Sequence, residues 1–267
     1  MSLVEALILA VIQGLTEFLP VSSSGHLELA SAFFNESNIP KESLSYTIVL
    51  HAATALSTIL VFRKEIMSIL SNLFSKGWDD DKAFSLKIVI SMIPAVVVGL
   101  VWEDQIESLF KQNILLVGSC LIFTAILLFV SERIKGKGHE KISYLESFII
   151  GLSQAVAILP GVSRSGATIA TSLMLKVDKD KAARFSFLMV IPLILGKIAK
   201  DLMSGELSFQ NTNSLNMFLG FMVATITGIL ACKLMIKIVR KSKLTYFALY
   251  CLVVGVVAII TFYVKGS

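Results

Sequence analysis

Charge is scarce in this chain. Asp, Glu, Lys and Arg make up 16% of its 267 residues, where a soluble domain carries about 25%. With 55% hydrophobic residues and a mean hydropathy of +0.80, that shortage excludes an ordinary soluble domain. The alternating apolar–polar pattern of barrel strands is also missing. The apolar segments are instead continuous, several of them about 18 residues long, enough to cross a hydrocarbon core of roughly 30 Å as helix. No Lys or Arg precedes the first apolar segment, and Glu5 sits where a signal peptide would be positive, so it reads as part of the membrane domain rather than a cleaved leader. Cysteine is limited to Cys120, Cys232 and Cys251, all within apolar runs. Their spacing excludes a thiolate metal site, and they read as small buried apolar side chains. Histidine occurs only at His26, His51 and His139. The net charge of +5 does not imply a nucleic-acid partner, because the basic residues fall in loops beside apolar segments, as membrane topology requires.

Against that apolar background two polar stretches stand out: Gln13 to Leu27 (QGLTEFLPVSSSGHL) and Gln154 to Thr168 (QAVAILPGVSRSGAT). A shift of 141 positions places Glu5 on Glu146, Gln13 on Gln154, Ser22 on Ser163, Ser24 on Ser165 and Gly25 on Gly166. The common offset points to an internal repeat, with residues 1–141 as the first copy and 142–267 as the second. Their polar residues would then form one composite site.

In the first copy, Leu3–Phe18 reads as a half-helix ending at Pro20, and Gly25 to about Phe34 as its return. Each is short for a span with polar residues between, so residues 3–34 fit a re-entrant hairpin, whose irregular backbone is tolerated beside a cavity. A polar linker, 35–43, leads to three spans, Leu44–Phe62, Leu86–Trp102 and Ile114–Val130, separated by loops at Arg63–Lys82 and Glu103–Lys111. The second copy repeats the plan: a hairpin at 144–175, broken at Pro160-Gly161, then spans Ala182–Ala199, Leu215–Met235 and Leu244–Val264. Arg184 and Lys197 must snorkel to the interfaces, and Pro94 and Pro192 read as kinks. The fold class is therefore an all-α polytopic membrane protein. Three crossings per copy force an inverted-topology repeat, each copy one re-entrant helix hairpin plus three transmembrane helices.

Charge sets the orientation. With the Arg63 loop in the cytoplasm, 18 of the 24 Lys and Arg residues fall inside. Five (Lys41, Lys111, Lys197, Lys200 and Lys265) fall outside, and Arg164 remains in the motif. This is a positive-inside distribution. It puts both termini outside, the first hairpin entering from outside and the second from the cytoplasm.

Arg164 is then the one deeply placed cation. It is either the structural partner of Glu17 or a phosphate ligand, since a guanidinium matches phosphate oxygens in a bidentate way. Two half-helix N-termini, at Ser22–Gly25 and Ser163–Gly166, would add N–H donors and positive dipole ends, and the glycines allow close backbone approach. Gln13, Ser22, Ser24, Gly25, Ser163, Ser165, Gly166 and Thr168 would line this anion cradle. Glu17 shares a helix face with Gln13. It is a counter-ion, a general base or an oxygen ligand for Mg²⁺ or Ca²⁺, with Gln13 as a further metal-site candidate. Gln154 reads as a helix–helix hydrogen-bonding residue. His26, after the serine run and facing an arginine and a carboxylate, is a candidate general acid or base. Ser22 and Ser24 suit capping, which leaves Ser23 as the better nucleophile. His51 reads as an interhelical hydrogen-bonding residue and His139 as chemically inert.

These segments closely resemble the undecaprenyl-diphosphatase family, the bacitracin-resistance type of membrane phosphatase. The resemblance rests on Gln13-Gly14-Leu15-Thr16-Glu17-Phe18-Leu19-Pro20 with Ser22-Ser23-Ser24-Gly25-His26, and on Pro160-Gly161-Val162-Ser163-Arg164-Ser165-Gly166-Ala167-Thr168. It continues through Ala183-Arg184-Phe185-Ser186-Phe187 and Tyr246-Phe247-Ala248. It implies hydrolysis of undecaprenyl diphosphate to undecaprenyl phosphate and inorganic phosphate in the bacterial inner membrane, recycling the lipid carrier of cell-wall synthesis. It also implies bacitracin resistance, a divalent cation, an active site open to the outer face, and catalytic or phosphate-binding roles for Glu17, Ser23, His26 and Arg164. Some members have glutamate where this chain has Gln13, which implies a weaker or differently arranged metal site here. The phosphatidic-acid type of membrane phosphatase also has a Ser-Gly-His element, but its second histidine after Ser-Arg has no counterpart in Ser165-Gly166-Ala167-Thr168-Ile169-Ala170. A prenyl-phosphate transporter or flippase is the rival reading, since inverted repeats with a midplane anion site suit alternating access equally well. Small residues in the spans permit a homodimer without requiring one. The charge distribution predicts that a cysteine at Ser75, in the Arg63–Lys82 segment, resists an impermeant maleimide in intact cells and reacts after permeabilisation; labelling from outside would reverse the orientation.

Overall fold

A computed structural model describes residues 1–33, 42–109, 113–134, 138–203, 213–241 and 243–265. Lys41, Lys111, Lys135 and Lys137 of the charge count, and most of the 35–43 linker, lie outside the described residues. Among the described residues the chain is helical throughout, with one isolated bridge between His139 and Val177. The helices are α1 (Leu3–Thr16), α2 (Ser23–Phe33), α3 (Glu42–Val61), α4 (Arg63–Leu73), α5 (Asp80–Val101), α6 (Glu103–Leu109), α7 (Ile114–Arg133), α8 (Tyr144–Val156), α9 (Arg164–Met174), α10 (Lys179–Met203), α11 (Ser214–Arg240) and α12 (Thr245–Lys265).

Among these, α5, α7, α10, α11 and α12 are long and apolar enough to cross a membrane, and α3 meets that measure only jointly with α4, to which it is bent by 81°. Leu100, Leu230 and Ile260 on these helices are more than half exposed, a surface that water would not tolerate but lipid tails solvate. The protein is a multi-pass helical membrane protein.

Two expected loops contain helix. Residues 63–73, within the expected Arg63–Lys82 loop, form α4, whose exposed Met67, Leu70 and Leu73 supply an apolar side. The short acidic stretch after Trp102 forms α6. Both α5 and α10 run on through Pro94 and Pro192. His139 takes a structural place. Its backbone bonds Lys176 and Asp178, and its Nε2 lies 2.9 Å from Glu146 Oε1 at the start of α8.

Equivalent positions at the offset of 141 share local geometry. Ser2 with Glu5, and Ser143 with Glu146, each form a capping box, starting α1 and α8 identically. The two helices also choose matching partners: α1 packs along α11, and α8 along α5. Elsewhere α7 and α12 meet through Gly118 and Gly255, where a Cβ on either would come within 2.8 Å of the other's carbonyl oxygen.

The breaks after α1 and α8 need their backbone groups satisfied, because apolar surroundings offer none. Side chains from elsewhere do this. Ser165 Oγ donates to the Leu19 carbonyl, Cys251 Sγ to the Pro20 carbonyl, and Thr124 Oγ1 to the Gly161 carbonyl while accepting from Ser163 N–H. Gly161 has a φ of +95° and Ser22 a φ of +70°, the left-handed conformations that turn each chain back on itself. Beneath the breaks, buried Phe18 packs edge-on against Phe187.

The α8–α5 contact is tight enough to test. A Cβ at Gly151 would fall 2.4 Å from the Ser91 carbonyl oxygen, whereas one at Gly99 meets nothing within 4 Å. Gly151→Val is expected to lose about 2 kcal/mol, read as a lower unfolding midpoint in detergent, with Gly99→Ala unchanged.

Candidate active site

The site begins on the last turn of α1. Gln13 and Glu17 lie one helical turn apart, and Gln13 Nε2 donates to Glu17 Oε2 at 3.1 Å. The chain turns at Pro20 and returns as α2, which brings Ser23 Oγ to donate to the same oxygen at 2.7 Å. The other carboxylate oxygen, Oε1, accepts from Arg164 Nη2 at 2.7 Å. Arg164 is the first residue of α9, 147 positions away. Its Nη1 donates to the Ser186 carbonyl of α10 at 3.1 Å. One carboxylate thus joins α1, α2 and α9.

The pair is largely withdrawn from solvent: the Glu17 side chain is 9% exposed and that of Arg164 16%. Either charge alone would carry a desolvation cost of several kcal/mol, which their contact and added hydrogen bonds offset. His51 of α3 lies within electrostatic range of Glu17.

The serines divide as expected, with one change. Ser22 Oγ accepts from Gly25 N–H and Ser163 Oγ from Gly166 N–H, so each caps its returning helix. Ser24 does not cap; its hydroxyl bonds that of Ser22 at 3.3 Å, as Ser165 bonds Ser163. Thr168 Oγ1 bonds Ser186 Oγ at 2.6 Å, tying α9 to α10 behind Arg164. The close approach of the two breaks depends on Gly25, where a Cβ would lie 2.9 Å from Gly161 Cα. The N-termini of α2 and α9 therefore sit side by side, with Ser23 and Arg164 at equivalent places.

Three residues stand differently from expectation. His26 makes no hydrogen bond to Glu17 or Arg164; its ring lies between the Ser22 carbonyl and the Tyr250 hydroxyl. His51 bonds the Thr47 carbonyl of its own helix, not a neighbouring helix. Gln154 makes no helix–helix bond, since both its amide atoms are buried without a partner. Arg184 is half-buried over the Phe84 ring, its Nε unpartnered. Sequence reasoning missed Tyr250, Thr124 and Ser186. An aromatic or a hydroxyl within an apolar span carries no local mark of a distant partner, and Ser186 holds Arg164 through a backbone carbonyl that any residue supplies.

A family model described as "Bacitracin resistance protein BacA" matches residues 6–257, which include every residue of this cluster. The chain belongs to the bacitracin resistance protein BacA family. Relatives named undecaprenyl-diphosphatase extend over the whole chain. That of Christiangramia forsetii is 57% identical over 99% of this chain and 100% of its own length. That of Bacteroides thetaiotaomicron is 49% identical over 98% and 99%, and that of Methanococcus vannielii 41% identical over 92% and 95%. This BacA-family chain thus has both breaks and the ion pair between them within the matched region.

Arg164→Met is expected to destabilise the protein by about 3 kcal/mol, because a buried carboxylate loses its cation. Adding Glu17→Gln should recover most of that loss in detergent melts; a double variant as unstable as the sum of two independent losses would contradict the pairing.

Proposed function

We propose that this chain hydrolyses undecaprenyl diphosphate to undecaprenyl phosphate and inorganic phosphate. In the bacterial inner membrane this recycles the lipid carrier for cell-wall synthesis and confers bacitracin resistance. The observation that carries the reading is the Ser23–Glu17–Arg164 chain of hydrogen bonds between two helix N-termini, in a protein alike from end to end to relatives named for that activity. The same reading takes the two breaks as re-entrant hairpins of an inverted-topology repeat. The shared capping boxes and the exchanged partners of α1 and α8 support it. The positive-inside count supports termini outside and a site open to the outer face.

The chemistry follows from the contacts. Ser23 Oγ, hydrogen-bonded to Glu17, attacks the terminal phosphorus, and its proton passes to Glu17 Oε2. The bond from phosphorus to the bridging oxygen breaks, and undecaprenyl phosphate leaves. Water then releases inorganic phosphate from the serine; a water in the place of Ser23 would reach the same products in one step. Once Glu17 is protonated its hold on Arg164 weakens, which frees the guanidinium for the phosphate oxygens. The dipoles of the two returning helices favour the same negative charge. His26 supplies a second acid–base group.

A divalent cation, Mg²⁺ or Ca²⁺, fits these residues in part. Gln13 Oε1 is buried with no partner, a free oxygen ligand beside Glu17. Among the described residues no group of three or more His, Cys, Asp or Glu residues could hold a metal. Gln13 and Glu17 would therefore hold the ion with substrate oxygens and water completing its shell, as Mg²⁺ often prefers. When bound it would neutralise diphosphate charge.

Phosphate release from a C15 or C55 prenyl diphosphate by the detergent-purified protein is expected, suppressed by chelator and lost in Glu17→Ala. Arg164→Lys should lose at least about 100-fold because the planar fork is gone; near-normal turnover there would sink the cradle. Lipid binding without any phosphate release from the folded wild type would favour a transporter.

A further inference from the structure

Tyr250 lies on α12, far in sequence from both breaks, yet its phenol meets the ring of His26. The hydroxyl oxygen is 2.8 Å from His26 Nε2. The two rings stack with 10° between their planes and 5.5 Å between centroids. On the other side of the imidazole, Nδ1 lies 2.8 Å from the Ser22 carbonyl oxygen. A carbonyl oxygen only accepts, so Nδ1 carries a proton. In the neutral ring Nε2 then holds the lone pair, and the Tyr250 hydroxyl donates to it.

The surrounding packing holds the phenol there. The next residue, Cys251, is fully buried and donates through Sγ to the Pro20 carbonyl of the first break. It packs in one cluster with Val21, Val117 and Leu121. One helical turn on, Gly255 lets α12 lie close against α7. The helix is thus anchored at the break beside Tyr250. Tyr250 remains 45% exposed, with its hydroxyl turned to His26.

We propose that Tyr250 is a positioning residue of the hydrolysis. With the Ser22 carbonyl it holds His26 in the tautomer whose proton-accepting atom is Nε2, and it fixes the plane of the ring. This rests on the reading of His26 as an acid–base group. A phenol suits the task because one hydroxyl serves both protonation states: it donates to bare Nε2 and accepts from Nε2–H. A methyl or an aliphatic side chain would do neither. The serine carbonyl and the phenol together clamp both nitrogens, so the ring cannot flip between turnovers.

Tyr250→Phe tests this, since it keeps the stacked ring and removes only the hydroxyl. In full-length detergent-purified protein, kcat for phosphate release from a C15 prenyl diphosphate should fall about tenfold with KM changed less than about twofold. In a His26→Ala background, assayed at enzyme concentrations that resolve slow turnover, the same substitution should add less than about twofold. A residue with a merely structural role would multiply with His26→Ala. Wild-type kcat in Tyr250→Phe, or a further tenfold loss in the double variant, overturns the proposal while leaving His26 in place. Normal turnover in His26→Ala removes the acid–base reading of His26 and this proposal with it.

Discussion

The contact between Glu17 and Arg164 is the constraint on which the rest of the site depends. It joins two places where the chain stops being helical inside an apolar protein. Each charge is there only because the other is. Their union fixes α1 against α9, and through Ser23 and Ser186 it reaches α2 and α10. On the proposed function, a site that binds a strongly anionic headgroup near lipid needs a cation. A cation near lipid needs an internal partner while no substrate is bound. A carboxylate meets that need in the resting state and, in the proposed reaction, withdraws from it by taking a proton.

Holding the two breaks in contact requires that neither leave bare backbone groups. The solutions come from distant parts of the chain: Thr124 on α7 for Gly161 and Ser163, Ser165 on α9 for Leu19, and Cys251 on α12 for Pro20. The buried Cys251, read from the sequence as a small apolar side chain, therefore has a structural role in the first break. The absence of a Cβ at Gly25 then lets the two turns touch, and its absence at Gly161 lets the second turn lie against Val117 and Cys120 of α7. The result is a pair of helix N-termini held close together, and the N-terminal end of a helix favours anions before any side chain is considered.

Much of this was legible from residue order. The membrane class, the broken helices at Pro20 and Pro160-Gly161 and the capping Ser22 follow from local chemistry or from the repeat offset, and the meeting of Glu17 with Arg164 was one of the two readings the residues left open for the arginine. The misreadings share a cause. Residues 63–73 lay within the expected Arg63–Lys82 loop, where Arg63, Lys64 and Glu65 interrupt the apolar pattern, but α4 presents Met67, Leu70 and Leu73 on its own apolar side. Gln154 looked like a hydrogen-bonding residue because a buried amide usually is one, yet its two amide atoms face no partner among the described residues.

What the residue order determines by itself is everything that depends on neighbours a few positions apart: helix starts, helix stops, apolar length and charge bias. Those are set by backbone sterics, hydrogen bonding within a turn, and transfer from water to lipid. What only the tertiary structure decides is which distant group each polar atom meets. His26 carries the same motif whether its ring turns toward Glu17 or toward Tyr250, and 224 residues separate it from the hydroxyl it bonds. That choice is made by the packing of α12 on α7 and on the first break, a long-range contact with no periodicity to betray it.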